Sequence, residues 1–164
     1  MMFKSHYGET VTVVLSLVMG LIMAVAAIFV DHLPFHFGNL FSIWGMIVLV
    51  ILIVSIIIPY KVWSEKLTGL VCTKRDGIAW KLVENILPSL ILNTCNTVIV
   101  SAANVLFNEA IPAQLRMGEW TQGIIHDWPI TFVISYLAAF VAEAAGKWVA
   151  DRYAQAPERP SAVR

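Results

Sequence analysis

The sequence predicts an all-α, polytopic membrane protein whose four transmembrane helices form two tandem helical hairpins. Of its 164 residues, 59% are hydrophobic and 13% are charged, whereas soluble domains come nearer to half and a quarter. About 20 apolar residues cross a bilayer, and four stretches approach that length. They are segment 1 (10–30), segment 2 (41–60), segment 3 (86–107) and segment 4 (128–149). Little chain remains for a soluble domain, so we treat 1–164 as one transmembrane domain.

The basic residues predict the orientation of these segments. Ten of the eleven Lys and Arg residues lie before segment 1, between segments 2 and 3, or at the end of segment 4 and beyond it. Only Arg116 lies between segments 3 and 4. The positive-inside rule therefore predicts a bacterial inner-membrane protein with both termini in the cytoplasm. We expect segment 1 to be retained rather than cleaved as a signal peptide, because its apolar run continues unbroken to Val30.

Segment 1 carries small residues at helical spacing, which favours close approach of another helix backbone. The stripe consists of Thr12, Ser16, Gly20, Ala24 and Ala27. A narrow lining for a pathway is the functional alternative. Pro34 and Gly38 then end the helix and turn the chain.

Segment 2 is apolar on all sides, so it is predicted to be the most peripheral helix, with much of its surface in lipid. The basic connection at 61–85 follows, and its charges either set the orientation only or bind anionic lipid. Within it, Asp76 is a candidate N-cap for a helix that begins near Ile78.

Segment 3 contains the most informative pattern. At 100° per residue, six of its polar side chains fall within an arc of about 140° on one face of a helix. We call five of them, Asn93, Asn96, Thr97, Ser101 and Asn104, the polar seam. An unpartnered amide in hydrocarbon costs several kcal/mol, so this face must meet protein or water. The seam is either a path for a solute or ion, or a set of contacts that holds helices together.

The region 108–127 is predicted to be an outer loop, and segment 4 is predicted to begin at Trp128 with Pro129 in its first turn. Small residues again share one face of segment 4. Near its inner end, Glu143 and Lys147 are four residues apart, which is the spacing of an ion pair on a helix. A proton-coupled role for this pair is the alternative. Residues 154–164 contain two prolines and no periodicity, and we expect a disordered cytoplasmic tail.

Histidines are concentrated in the predicted outer loops. His32, His36 and His126, together with Asp127, are candidate ligands for Zn or another divalent metal. Hydrogen-bonded interfacial histidines are the alternative interpretation, because Pro34 separates His32 from His36 and no metalloprotease-type spacing is present.

The two halves of the chain are weakly similar to each other. Aligning 16–34 with 94–112 pairs Ala24 with Ala102, Phe29 with Phe107, Asp31 with Glu109, and Pro34 with Pro112. Each half enters and leaves the membrane in the same direction, so we expect a parallel duplication with hairpins at about 10–63 and 82–150. This pattern resembles a family of small bacterial membrane proteins of unknown function whose two-helix module often occurs in tandem. The resemblance implies no catalytic residues.

The leading functional hypothesis is a channel-like or transporter-like protein that uses the polar seam as its path. The alternatives are a structural or accessory membrane subunit, whose seam recruits another helix, and a metal-binding membrane protein that uses the histidines. No nucleotide-binding, nucleophile or haem-attachment motif is present, so no enzyme activity, cofactor or nucleic-acid partner is expected. The expected partners are the lipid bilayer, further copies of the chain in a homo-oligomer, and another membrane protein if the seam recruits one.

Overall fold

The computed structural model of the protein describes residues 7–31, 33–72 and 77–153. Within this part of the chain all the regular secondary structure is helical, as the sequence predicts. The five helices are α1 (Tyr7–Val30), α2 (Phe37–Ile57), α3 (Tyr60–Val71), α4 (Ile78–Leu106) and α5 (Ala113–Tyr153). Four of them, α1, α2, α4 and α5, are long and apolar enough to cross a membrane. The predicted tail at 154–164 and the candidate N-cap Asp76 lie outside the described residues; the N-cap of α4 is Gly77.

The four long helices pack in a ring in the order α1, α2, α4, α5. Their shared core contains buried side chains from every member, among them Met19, Met23, Ile47, Ile51, Leu92, Val100 and Ala142. The prediction that segment 2 is the most peripheral is confirmed, since α2 has the least extensive contacts of the four long helices and exposes Leu49, Ile53 and Ile56. It also buries five side chains against α1 and α4, because a helix that is apolar all round can supply a core face and a lipid face together.

Small residues allow the close helix pairs, as their spacing predicts. A Cβ atom added at Gly20 of α1 would lie 2.7 Å from Val48 Cγ2 on α2. A Cβ atom at Gly146 of α5 would lie 3.0 Å from the Val11 carbonyl oxygen of α1. The small face of α5 is buried throughout, at Ser135, Ala138, Ala139, Ala142 and Gly146. The α1–α2 contact at Gly20 and the α1–α5 contact at Gly146 are therefore close enough to favour glycine.

Helix α3 was not predicted, and a proline explains where it docks. Pro88 lies inside α4 rather than in its first turn, since α4 begins ten residues earlier at Ile78. A proline lacks the N–H that would bond to the carbonyl four residues before it, here that of Glu84. The hydroxyl of Ser64 on α3, which is 1% exposed, donates to this Glu84 carbonyl instead. A carbonyl freed by proline thus becomes the contact point for α3.

Helix α5 corrects the predicted outer loop. It begins at Ala113, so only a short connection follows α4, and Pro129 lies inside the helix instead of at its start. Its 41 residues extend about 60 Å at 1.5 Å per residue, roughly twice the hydrocarbon thickness of a bilayer. The polar residues between 113 and 127 form the N-terminal part of this helix, which contacts α4 through Trp120. Polarity alone misled the loop prediction, because a helix can also be polar.

Candidate functional site

The polar seam on α4 divides into two parts that differ in hydrogen bonding. One part faces α5 and its polar groups are paired. The other part is buried in the ring and several of its polar atoms have no protein partner.

Tryptophans of α5 donate hydrogen bonds to Ser101 of the seam and to Thr94 beside it. The Trp128 indole N–H donates to Thr94 Oγ1 at 3.0 Å, and Thr94 in turn donates to the Leu90 carbonyl at 2.7 Å. Eight residues earlier on α5, the Trp120 indole N–H donates to Ser101 Oγ at 3.0 Å. Thr97 Oγ1 lies 3.3 Å from Thr131 Oγ1, which is a weaker contact of the same kind. We call these contacts the α4–α5 hydrogen-bonded interface.

Asn93 and Asn96 form the second part. Asn93 is fully buried; its amide nitrogen donates to the Trp128 carbonyl at 3.2 Å, but its Oδ1 has no partner. Asn96 is 3% exposed, and neither its Oδ1 nor its Nδ2 finds a partner among the described residues. Buried polar groups are nearly always hydrogen-bonded, so two such atoms on one side chain indicate water or a ligand.

Asn96 lines a partly open cavity of about 50 Å³ bordered by α1, α2, α4 and α5. We call it the acidic cavity, because two carboxylates line it and none of its lining residues is basic in the part of the chain that the structure describes. Its polar lining consists of Asp31, Asn96, Thr97, Ser101, Asn104, Asp127 and Thr131. Asn104 lies two helical turns from Asn96 on α4, about 12 Å along the axis. The cavity therefore runs from the Asp31 end of α1 into the middle of the ring.

A larger cavity of about 330 Å³ lies at the opposite end of the ring. We call it the mixed-charge cavity, because three lysines and three glutamates line it: Lys61, Lys81, Lys147, Glu65, Glu84 and Glu143. Its lining includes Ser89, which is 1% exposed and whose hydroxyl has no partner. Tyr60 also lines it, and its hydroxyl lies 2.7 Å from Ser55 Oγ. Burial raises the pKa of Tyr60, so this phenol stays neutral at physiological pH.

The two cavities approach each other closely. On α1 the lining of the mixed-charge cavity reaches Met19 and that of the acidic cavity begins at Met23. On α4 the corresponding residues are Leu92 and Asn96. Each pair is four residues apart, or about 6 Å along a helix. A septum about one helical turn thick, with Asn93 inside it, separates the two cavities.

The structure also shows the contacts of Glu143, Lys147, His36 and His126, the other predicted site residues. Lys147 and Glu143 form the predicted ion pair, with 53% and 38% of their side chains exposed, at the edge of the mixed-charge cavity. His36 accepts a hydrogen bond from the Asn39 backbone N–H at 3.1 Å and so caps α2. His126 Nδ1 lies 2.7 Å from Asp127 Oδ1.

The metal hypothesis gains no support from the part of the chain that is described. No group of three His, Cys, Asp or Glu side chains there is arranged to hold a metal ion. His32 lies outside the described residues, so a site that includes it stays a prediction.

Sequence reasoning missed the roles of Trp120, Thr131 and Asp31. Trp120 falls in the predicted loop, but it lies on α5, eight residues before Trp128 and about 80° from it around the helix. No sequence pattern indicates that Asp31 and Asp127 line one cavity, because this depends on how α1 packs against α5.

No protein-family model, no curated protein and no solved structure matches the chain. The function must therefore be argued from the site itself.

Proposed function

We propose that this protein is a small channel-like or transporter-like membrane protein in which α4 lines the path of a solute or ion. The observation that supports this proposal is the pair of cavities, which enter the ring from opposite ends and are separated by about one helical turn. A membrane protein with a purely structural role does not require two polar cavities. Each cavity leaves polar atoms within the membrane region, where unsatisfied polar groups cost free energy.

The asparagines of the septum fit this role. Amides offer both a donor and an acceptor, so they can replace part of the hydration of a passing solute without carrying a charge of their own. Asn96 lines the acidic cavity, and neither of its polar atoms has a partner among the described residues. Motion of α1 or α4 by part of a helical turn would connect the cavities, which is the scale of motion that gating requires.

We further infer that the mixed-charge cavity faces the cytoplasm of a bacterial inner membrane and that the acidic cavity faces outward. The distribution of Lys and Arg supports this orientation. A homo-oligomer is also part of the proposal, because lipid-facing apolar surface on α2 and α5 leaves room for contacts between copies. The tandem duplication related to two-helix modules is the origin that we propose for the two hairpins.

The test is ion and solute flux in proteoliposomes, with wild type compared to Asn96→Leu. We expect the wild type to leak above empty liposomes and the variant to lose this flux, while its oligomer size in detergent stays unchanged. Thr94→Val is the matched control, because Thr94 lies two residues away on α4 but lines neither cavity. It should retain the flux. Loss of flux in both variants, or in neither, would contradict a path that runs past Asn96.

An accessory membrane subunit is the second candidate, and the α4–α5 hydrogen-bonded interface favours it. Trp120 and Trp128 use the seam as helix contacts, which is what an assembly role requires. Under this alternative, Asn96→Leu would dissociate the oligomer or release a co-purifying membrane protein, and no flux would be seen in the wild type.

A further inference from the structure

We propose that the mixed-charge cavity binds a small amphipathic zwitterion, a solute that carries an ammonium group, an acid group and an apolar side chain, as an apolar amino acid does. The proposal deepens the proposed function by naming the class of solute, and it rests on that function only for movement of the solute, not for binding. Three properties of the cavity carry it: its balanced and largely unpaired charges, its apolar inner end and its volume.

The charges of the cavity are balanced on each helix that supplies them. Helices α3, α4 and α5 each contribute one lysine and one glutamate: Lys61 and Glu65, Lys81 and Glu84, and Lys147 and Glu143. A ligand with a single charge would be attracted by one set and repelled by the other. A ligand that carries both charges a short distance apart is complementary to both sets.

Most of these charges have no ion-pair partner. Among the described residues that line the cavity, only the two charges of α5 pair with each other. Lys61 and Glu65 are exposed and four residues apart on α3, a spacing that allows an ion pair, yet they make none. On α4, Lys81 makes no ion pair either, and Glu84 has only a longer-range attraction to Lys147. Ammonium and carboxylate groups are therefore available on α3 and α4.

Asn85 adds a neutral donor and acceptor beside these charges. It follows Glu84 on α4, lines the cavity and is half-buried. Its side-chain amide makes no hydrogen bond within the described part of the chain, and its polar atoms are not sealed from solvent. The amide is therefore accessible to a ligand held between the lysines and the glutamates.

The inner end of the cavity is apolar. Its innermost lining residues come from α1, α4 and α5, and they are Leu15, Met19, Leu92 and Ala139. Leu92 lies eleven residues beyond Lys81 on α4, or about 16 Å along the helix axis. Ala139 lies eight residues from Lys147 on α5, or about 12 Å. A solute whose charged groups lie among the lysines and glutamates can therefore bury an apolar side chain deeper in the ring.

The volume of the cavity suits a small solute. Its size of about 330 Å³ lies at the lower end of the range for small-molecule sites, about 300–1,000 Å³. Since liquid water occupies about 30 Å³ per molecule, the space holds roughly ten non-hydrogen atoms. A metal ion alone would leave most of it unfilled, and a phospholipid with its acyl chains is too large. An apolar amino acid matches this size.

The experiment is equilibrium dialysis of the full chain in detergent with radiolabelled leucine as the probe. Three analogues each remove one feature of leucine: isocaproate lacks the ammonium, isoamylamine lacks the carboxylate, and glycine lacks the apolar side chain. We expect saturable binding of leucine. Each analogue should bind at least about tenfold more weakly, because it loses either a charge-assisted contact or the burial of an apolar side chain.

Variants on α3 test the location of the site. Lys61→Met removes one ammonium from the lining and should weaken leucine binding about three- to tenfold. Lys66→Met is the matched control, because Lys66 is exposed on the same helix but lines neither cavity. It should leave the affinity unchanged. Glu65→Gln keeps the shape of its side chain and provides a second, independent loss, so that a folding defect in one variant does not decide the result.

The outcomes separate this site from the proposed path. Absence of leucine binding, analogues that bind as tightly as leucine, or an unchanged affinity in both Lys61→Met and Glu65→Gln would each overturn the site. Binding of lysophosphatidylethanolamine but not of leucine would assign the cavity to a lipid headgroup and would also overturn it. Leucine binding without leucine flux in proteoliposomes would keep the site and remove the path. Ion flux without leucine binding would keep the path and remove the site.

Discussion

Two neighbouring regions of α4 use the same kinds of side chain in opposite ways. At the α4–α5 hydrogen-bonded interface, Thr94 and Ser101 each receive an indole N–H at 3.0 Å. Between these positions, on a different part of the helix surface, Asn96 is almost fully buried and makes no hydrogen bond to protein. Polar residues in a membrane helix are therefore not one class. Those with partners hold helices together, and those without partners line a space for something else.

Substitutions in the two regions should change the stability of the protein in opposite directions. A paired group should stabilise the protein, and its removal should cost free energy. A buried group without a partner should destabilise the protein, and its removal should be neutral or favourable. The largest effects are expected at the asparagines and the smallest at the weakest pair.

The largest expected effect is at Asn96. Asn96→Leu removes two unsatisfied buried atoms, and the adjoining cavity of about 50 Å³ accommodates the larger side chain. We expect the free energy of unfolding to rise by about 1–3 kcal/mol, measured by denaturation in detergent micelles. Asn93→Leu is the comparison, because it loses one hydrogen bond and removes one unsatisfied oxygen, so it should be close to neutral. If Asn96→Leu were clearly less stable than wild type, Asn96 would belong with the paired residues.

An intermediate loss is expected at the tryptophans of α5. Trp128→Phe removes the indole donor to Thr94 but keeps an aromatic ring stacked on Phe132. The free energy of unfolding should fall by about 1 kcal/mol. A double-mutant cycle with Thr94→Val would measure the coupling of the pair directly. Trp63→Phe on the exposed surface of α3 is the control and should change stability by less than about 0.5 kcal/mol.

The smallest loss is expected at Thr97. Its hydroxyl lies 3.3 Å from Thr131 Oγ1, and Thr131 also donates to the Asp127 carbonyl at 2.9 Å. Thr97→Val should therefore lower the free energy of unfolding by about 0.6 kcal/mol or less, which is the average for such contacts between membrane helices. If Thr97→Val lowered the free energy of unfolding by more than Trp128→Phe does, the contact between α4 and α5 would depend mainly on hydroxyl pairs rather than on the indole donors.

The polar seam itself could be predicted, but its division could not. The angular positions of Asn93, Asn96 and Ser101 on a helix place all three in one arc, and the arc is buried or half-buried as expected. Which part of the arc meets an indole and which part meets a cavity depends on side chains of α5. These lie about 30 residues away along the chain, so no local pattern reports them.

The boundaries of the helices could likewise be predicted only where local sequence patterns determine them. The start of α4 near Ile78 was predicted from local turn residues and is confirmed. The loop predicted over 108–127 is wrong, because Gly118 and Gly123 weaken a helix without ending it and Pro129 removes only one backbone hydrogen bond. The short helix α3 was missed, since its docking depends on Ser64 reaching the Glu84 carbonyl.

By itself, the sequence determined the number of apolar helices, the small-residue faces on which they pack and the ion pair of Glu143 with Lys147. These properties follow from composition and from spacing along one helix, where neighbours in space are also neighbours in sequence. Only the tertiary structure decided the ring order, the two cavities, the septum between them and the presence of Asp31 and Asp127 in the lining of one cavity. These depend on contacts between helices that are distant in the chain, and hydrophobic patterning allows many such arrangements with similar burial.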